Sequence, residues 1–260
     1  MADKMTAPKV RNMKGKRIVC LTAYDAPTAA IADAAGVDLI LVGDSLGNVV
    51  LGYENTLPVS LGEMVHHTRA ARQGCKRALL AADMPFGTFQ ASAEDAVRSG
   101  VELVKAGAEA VKLEGPYEDG IEGLVAAGIP VMGHVGMTPQ SVNAFGGYRV
   151  QGRGKKSDLV IDAAKRIEDA GAFCIVLEVI PASVAEKITE TLSIPTIGIG
   201  AGPFCDGEIQ VFHDILGLTS EPPLKHTRHF LNGYEQMVKA IDCYAEGVRK
   251  GTFPTEENSF

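Results

Sequence analysis

Residues 167–181 read IEDAGAFCIVLEVIP. A polar helical end runs into Gly171, then into CIVL, a short run that is apolar on both faces, and stops at Glu178. Glycine after a helix suits the left-handed cap that side chains resist. A strand without polar alternation is one buried on both faces, as in a parallel sheet. The same pattern recurs at 31–45 (IADAAGVDLILVGDS), 101–115 (VELVKAGAEAVKLEG) and 124–136 (LVAAGIPVMGHVG), with Gly36, Gly107 and Gly128 at the turning point. Helix, glycine, strand and polar residue repeated in this order mean βαβ units. Residues 17–22 (RIVCLT), 78–82 (ALLAA) and 194–199 (IPTIGI) add strands, and 211–216 (VFHDIL) is a weaker eighth. Seven or eight such units in 260 residues predict an α/β protein with a single (β/α)8 TIM barrel over 1–260. A short N-terminal extension (about 1–15) and a C-terminal helical segment (about 225–250, containing GYEQMVKAIDCYAEGVRK) flank it. The rhythm breaks at 44–77, where a loop precedes the helix LGEMVHHTRAARQG, and at the glycine-rich loop 136–156. No GxGxxG follows the first strand, which argues against an open dinucleotide-binding sheet.

Composition narrows the function classes. Apolar residues make up 46% and charged residues 22%, so the chain can build a core. A net charge of −7 makes a nucleic-acid partner unexpected. No apolar run approaches the ~18 residues of a membrane span, and the N-terminal MADKMTAPKVRNMKGKR lacks the apolar core of a secretory signal. Five scattered cysteines without a CxxC read as reduced thiols in a cytoplasmic protein.

Functional residues of a parallel barrel collect at the carboxyl ends of its strands. Here those ends carry Asp44 and Ser45, Asp83, Glu114 with Lys112 two residues before it, His134, and Glu178. Residues i and i+2 of a strand share a face, so Lys112 and Glu114 point together. Taken singly, each has an ordinary explanation: Asp83 could cap the turn before Pro85, and Lys112 could simply neutralise Glu114. Four carboxylates, a lysine and a histidine on one rim are harder to explain that way, because a charge at the end of a buried strand needs a partner or a metal. Oxygen donors without a Cys or His cluster favour a hard cation such as Mg²⁺. Such a site suits a 2-oxo acid that chelates through two oxygens. The metal stabilises its enolate, and a further carboxylate removes the adjacent proton.

The segments 21–70 (LTAYDAPTAAIADAAGVDLILVGDSLGNVVLGYENTLPVSLGEMVHHTRA), ADMPFGTF, AVKLEG, IPVMGHVGMTPQS, GGYRVQGR, FCIVLEVIP and IPTIGIGAG together resemble the ketopantoate hydroxymethyltransferase family, over about residues 9–250. The resemblance implies a (β/α)8 barrel that assembles as a homo-oligomer of the decamer-of-dimers type. It implies Mg²⁺ and the cosubstrate 5,10-methylenetetrahydrofolate, with 3-methyl-2-oxobutanoate converted to 2-dehydropantoate on the way to pantothenate. By resemblance, Asp44, Asp83 and Glu114 are metal ligands. Asp44, Ser45, Asp83 and Lys112 contact the 2-oxo acid, His134 lies in the substrate site, and Glu178 is the proton acceptor. The competing enzyme class is a Mg-dependent 2-oxo-acid lyase or mutase of the phosphoenolpyruvate mutase and isocitrate lyase type, although the KKCGH motif of its lyases is missing. A non-catalytic 2-oxo-acid sensor is the third possibility.

Other features read as structural. The glycines of IGIGAG (Gly198, Gly200, Gly202) suit a tight turn more than a phosphate site. Arg149, Arg153, Lys155 and Lys156 suit a solvated mobile loop more than a lid or a basic lure for the glutamyl tail of the folate. His66 and His67 are surface or interface groups, and Cys20 and Cys174 fill the core.

Overall fold

The computed structural model describes residues 3–219 and 222–260, so Met1 and Ala2 of the expected N-terminal extension lie outside the described residues. The chain forms two compact units, Met1–Val211 and Phe212–Phe260. The first contains a closed barrel of parallel strands in chain order: β1 (Ile18–Thr22), β2 (Leu39–Val42), β3 (Leu79–Asp83), β4 (Ala110–Lys112), β5 (Val131–Gly136), β6 (Cys174–Glu178), β7 (Thr196–Ile199) and β8 (Gly207–Gln210). β8 closes on β1 with Ile18 opposite Gly207. Helix α1 is Ala7–Arg11, α2 is Ala26–Ala34, α3 is Leu46–Val49, α4 is Leu61–Gly74, α5 is Ala93–Lys105 and α6 is Glu118–Ala126. Then come α7 (Val142–Phe145), α8 (Ser157–Asp169) and α9 (Ala182–Thr191). Gly36, Gly107, Gly128 and Gly171 all have positive φ (85°, 114°, 80° and 102°), as caps before buried strands require.

Three features depart from the sequence reading. The eighth strand is Gly207–Gln210, and residues Phe212–Ile215 are helical (α10). Short apolar runs do not distinguish strand from helix by periodicity. What selects GEIQ is contact: a Cβ on Gly207 would lie 2.6 Å from the Ile18 carbonyl oxygen, so only glycine lets β8 approach β1 this closely. Second, β7 reaches β8 through Gly200–Asp206 with no helix, far shorter than the usual crossover of a dozen residues. Asp206 stabilises this loop by accepting the Gly15 N–H (2.8 Å), the Thr196 N–H (2.8 Å) and the Lys14 ammonium (3.0 Å). Third, the N-terminal extension is structural. Ala7 and the fully buried Val10 of α1 belong to the same apolar cluster as Ile18, Leu39, Leu79 and Met132, with Met5 and Met13 packed against it.

That cluster shows how the barrel places its chemistry. Its members include Cys20, Ala81, Ala110, Met132 and Val176. Two residues further along each strand, on the same face, stand Thr22, Asp83, Lys112, His134 and Glu178. The inward layers are therefore apolar until the carboxyl ends of the strands, where they become polar. The glycines of the 198–202 turn are packed as expected: a Cβ on Gly202 would lie 2.5 Å from the Ala182 Cβ.

The second unit carries α10 and α11 (Gly233–Lys250), the latter beginning at Gly233 rather than at about 225 and covering the stretch whose periodicity is helical. Tyr234, Met237, Val238, Ile241, Tyr244 and Val248 are exposed along α11. No helix among the described residues is long and apolar enough to cross a membrane.

Candidate active site

Every residue singled out at the strand ends lies at the carboxyl rim. Asp44 follows β2 and is buried. Its backbone N–H donates to Asp83 Oδ2 at 3.0 Å, so the β2 loop is tied to the end of β3. Lys112, paired in register with Asp83, makes a short ion pair with Asp83 Oδ1 and lies 3.9 Å from Glu114 Oε1. His134 is 1% exposed and lies between two carboxylates: Nδ1 is 3.5 Å from Glu114 Oε1 and Nε2 is 3.3 Å from Glu178 Oε2. Glu178 is the half-buried member of the group and ends β6. Ser45 is oriented by a 2.9 Å hydrogen bond between its Oγ and the Tyr24 hydroxyl.

Burial and mutual charge shift these groups. Burial, then the charges of Asp83 and Glu114, push the Asp44 carboxyl well above the usual range. Asp83 is also raised, chiefly by burial, although Lys112 opposes the shift. Burial acts to lower Lys112, but Asp83, Glu114 and Asp44 outweigh it and hold the ammonium charged. Burial acts to raise Glu114, but the neighbouring His134, Lys112 and the Gln140 N–H hold it below the usual range. Burial and the charge of Lys112 act to lower His134, but Glu114 and Glu178 on its two nitrogens win and push it up to about 9. His134 is thus held between two carboxylates that favour its charged form.

Among the described residues, no three His, Cys, Asp or Glu side chains already close on one point as a metal cage. Asp44, Asp83 and Glu114 are nevertheless gathered in one buried cluster, and their chemistry fits a hard divalent cation. Glu114 Oε1 is buried and has no hydrogen-bond partner. Asp44, Asp83 and Glu114 stand together around Lys112, and the repulsion among them, which with burial raises Asp44 and Asp83, is what a divalent cation would relieve.

The structure also brings in residues that the sequence reading passed over. Gln140, in the turn after β5, contacts both Asp44 and Glu114. Tyr24 orients Ser45. Tyr148, in the 136–156 loop, is 58% exposed, and its phenol is pushed up by partial burial and by the charges of Glu178, Asp44 and Glu114. Gln140 and Tyr148 both lie inside segments that carry the family resemblance, TPQS and GGYRVQGR, and this was the only signal of them in the sequence. Arg149, Arg153, Lys155 and Lys156 are exposed. His66 is exposed, whereas His67 is half-buried and its Nδ1 lies 2.7 Å from the Tyr24 carbonyl oxygen, so it is a packing contact of α4. Cys20 and Cys174 are buried in the barrel core.

A closed (β/α)8 barrel whose mouth concentrates carboxylates, a lysine and a histidine defines a class: a barrel enzyme acting on a small molecule at the carboxyl ends of its strands. A model of the family described as ketopantoate hydroxymethyltransferase matches residues 4–256. The 3-methyl-2-oxobutanoate hydroxymethyltransferase of Thermotoga maritima is 52% identical, over 98% of this chain and 96% of its own. The protein of that name from Thermus thermophilus is 48% identical, over 99% of this chain and all of its own. The chain belongs to the ketopantoate hydroxymethyltransferase family. Among solved structures, phosphonopyruvate hydrolase in complex with oxalate and Mg²⁺ superposes with a TM-score of 0.64 at 15% identity, covering 97% of this chain and 93% of that one. A 2,3-dimethylmalate lyase of the phosphoenolpyruvate mutase/isocitrate lyase superfamily gives 0.61 at 14% identity, over 98% and 91%. These two share the fold. The family match over the whole chain favours the transferase over the lyase or mutase alternative.

Proposed function

We propose that this enzyme transfers a hydroxymethyl group from 5,10-methylenetetrahydrofolate to 3-methyl-2-oxobutanoate, giving 2-dehydropantoate and tetrahydrofolate, as a step toward pantothenate. The observation that carries the reading is the rim itself: a half-buried carboxylate, Glu178, beside the buried oxygen donors Asp44, Asp83 and Glu114, in a chain whose residues 4–256 match the family.

The chain's own groups divide the work. The Lys112 ammonium and the Ser45 hydroxyl hold the substrate carboxylate, with Asp83 keeping Lys112 in place and Tyr24 keeping Ser45 in place. Glu178 takes the proton from C3, which leaves the electron pair of the C–H bond in the enolate. His134, bridging Glu178 and Glu114, steadies the orientation of the base. Asp44, Asp83 and Glu114 would hold Mg²⁺, which as a Lewis acid supplies stabilisation of the charge that develops on the 2-oxo oxygen. Water adds to the methylene carbon as its two C–N bonds break and the folate nitrogens take up the protons, so that tetrahydrofolate leaves; C3 bonds to the released one-carbon unit, whose oxygen, from water, becomes the hydroxyl on taking the proton held by Glu178.

The assembly we propose is a homo-oligomer of the decamer-of-dimers type in the cytoplasm. The exposed apolar stripe of α11 supports association, and five free thiols suit a reducing compartment. Light scattering on the purified protein should give a mass many times that of one chain, and a monomer would contradict this assembly. The reaction is tested by incubating the protein with Mg²⁺, 3-methyl-2-oxobutanoate and methylenetetrahydrofolate. Formation of 2-dehydropantoate and tetrahydrofolate in equal amounts is expected. Cleavage of the 2-oxo acid without folate consumption would point to lyase chemistry instead.

A further inference from the structure

We propose that Gln140 is a positioning residue that sets two carboxylates of the rim, Asp44 and Glu114, for cation binding; this rests on the metal reading above. Gln140 lies in the one-turn segment Pro139–Ser141 after β5 and is 5% exposed. A buried primary amide has two donor hydrogens and one acceptor oxygen to satisfy. Its Nε2 lies 2.9 Å from Asp44 Oδ2 and 2.9 Å from the Met84 carbonyl oxygen. The Met84 carbonyl can only accept, so the orientation of the amide is determined by its surroundings. Its Oε1 then accepts the Gln90 amide at 3.0 Å. Gln90 is itself held, because its Oε1 accepts the Gly87 N–H at 2.8 Å.

The backbone adds a second arm. The Gln140 N–H donates to Glu114 Oε2 at 2.9 Å, while Glu114 Oε1 is left without a hydrogen bond. One residue from the β5 loop therefore grips one oxygen of a carboxylate after β2 and one oxygen of a carboxylate after β4. Held carboxylates that repel one another cannot rotate apart, and the oxygen not engaged by Gln140 stays available. Outer partners of this kind orient ligands and are commonly worth ~10–100-fold in metal affinity.

The test uses metal-free, full-length protein and Mn²⁺ as the probe, with free Mn²⁺ read by electron paramagnetic resonance and no substrate present. Gln140→Met keeps the length of the side chain and removes its donors, while the backbone arm to Glu114 remains. Mn²⁺ dissociation should weaken about 10-fold or more, and activity should recover in large part when the metal concentration is raised to saturation. Gln90→Met frees the Gln140 amide and should weaken Mn²⁺ in the same direction by a smaller factor. It carries the test if Gln140→Met does not fold. A folded Gln140→Met or Gln90→Met protein whose Mn²⁺ affinity stays within two-fold of wild type overturns the proposal. Wild-type protein that binds no Mn²⁺ overturns the metal reading itself, a separate result.

Discussion

Val179 follows Glu178 with φ +46°, the one non-glycine residue with positive φ among the described residues. For a β-branched side chain this is an outlier, and such strain costs on the order of 1–3 kcal/mol. The surroundings enforce it. The Val179 N–H donates to the Ile199 carbonyl (2.8 Å), its carbonyl accepts the Gln151 N–H (3.1 Å), and the Glu178 carbonyl accepts the Met137 N–H (2.8 Å). Gly136 closes the other side: a Cβ there would lie 2.2 Å from the Glu178 carbonyl oxygen. A turn clamped at three points directs the Glu178 carboxylate to its 3.3 Å contact with His134. Replacing Val179 with glycine removes the strain, roughly 1–3 kcal/mol. It gives back about 0.5–1 kcal/mol of chain entropy and about 1 kcal/mol of half-buried apolar surface. Stability should therefore change by no more than about 1.5 kcal/mol, a Tm shift of at most a few degrees. Catalysis should respond differently. With glycine the turn can relax, the base loses its direction, and kcat should fall about 10–100-fold with little change in KM for the 2-oxo acid. Val179→Ala retains a side chain with the same φ penalty and should stay closer to wild type. Steady-state kinetics and thermal unfolding of the two variants decide the matter. A folded Val179→Gly enzyme with kcat within two-fold of wild type would refute the link between strain and aim.

Other consequences follow from the same contacts. Asp83→Ala should weaken Mn²⁺ and 3-methyl-2-oxobutanoate binding together in calorimetry. It should also destabilise the protein by about 3–5 kcal/mol, because Lys112 loses its buried partner; unchanged substrate affinity would remove Asp83 from the site. Val10→Ala, at the floor of the barrel, should cost about 2 kcal/mol in urea unfolding, for two methyl groups and the cavity left behind. Asp206 supports the helix-free β7–β8 loop. Burial acts to raise its pKa, but the Thr196 and Gly15 N–H groups and Lys14 hold it below the usual range. A depressed carboxyl stabilises the fold above its unfolded value of about 3.9 and loses that contribution as pH falls through the folded value. The stability gap between wild type and Asp206→Asn should therefore be constant above roughly pH 5 and close below about pH 4; a gap that widens in acid would contradict the assignment.

Much of this was legible in the chain because it is written locally. A parallel strand buried on both faces, introduced by a capping glycine, announces itself in a dozen residues, and the polar residue that ends it marks the rim. Helix α4 has the bounds its sequence predicts for the same reason: its capping box and periodicity are local. What escaped depends on partners far apart in sequence. β8 is selected by the closeness of Gly207 to Ile18, and α1 by the apolar floor it covers. Gln140 reads as an ordinary polar residue until its neighbours from β2, β3 and β4 are known. The strain at Val179 has no counterpart in composition or pattern, because valine there looks like one more strand residue.

The central claim is that Glu178 is the base that removes the C3 proton. Glu178→Gln keeps the shape of the side chain and removes its basicity. With Mg²⁺ and 3-methyl-2-oxobutanoate in D₂O, and no folate, the wild-type enzyme should exchange the C3 proton, followed by loss of its NMR signal. In the variant that exchange should fall by roughly two orders of magnitude or more, while metal and 2-oxo-acid binding stay within a few-fold. Exchange in the variant near the wild-type rate would contradict the account.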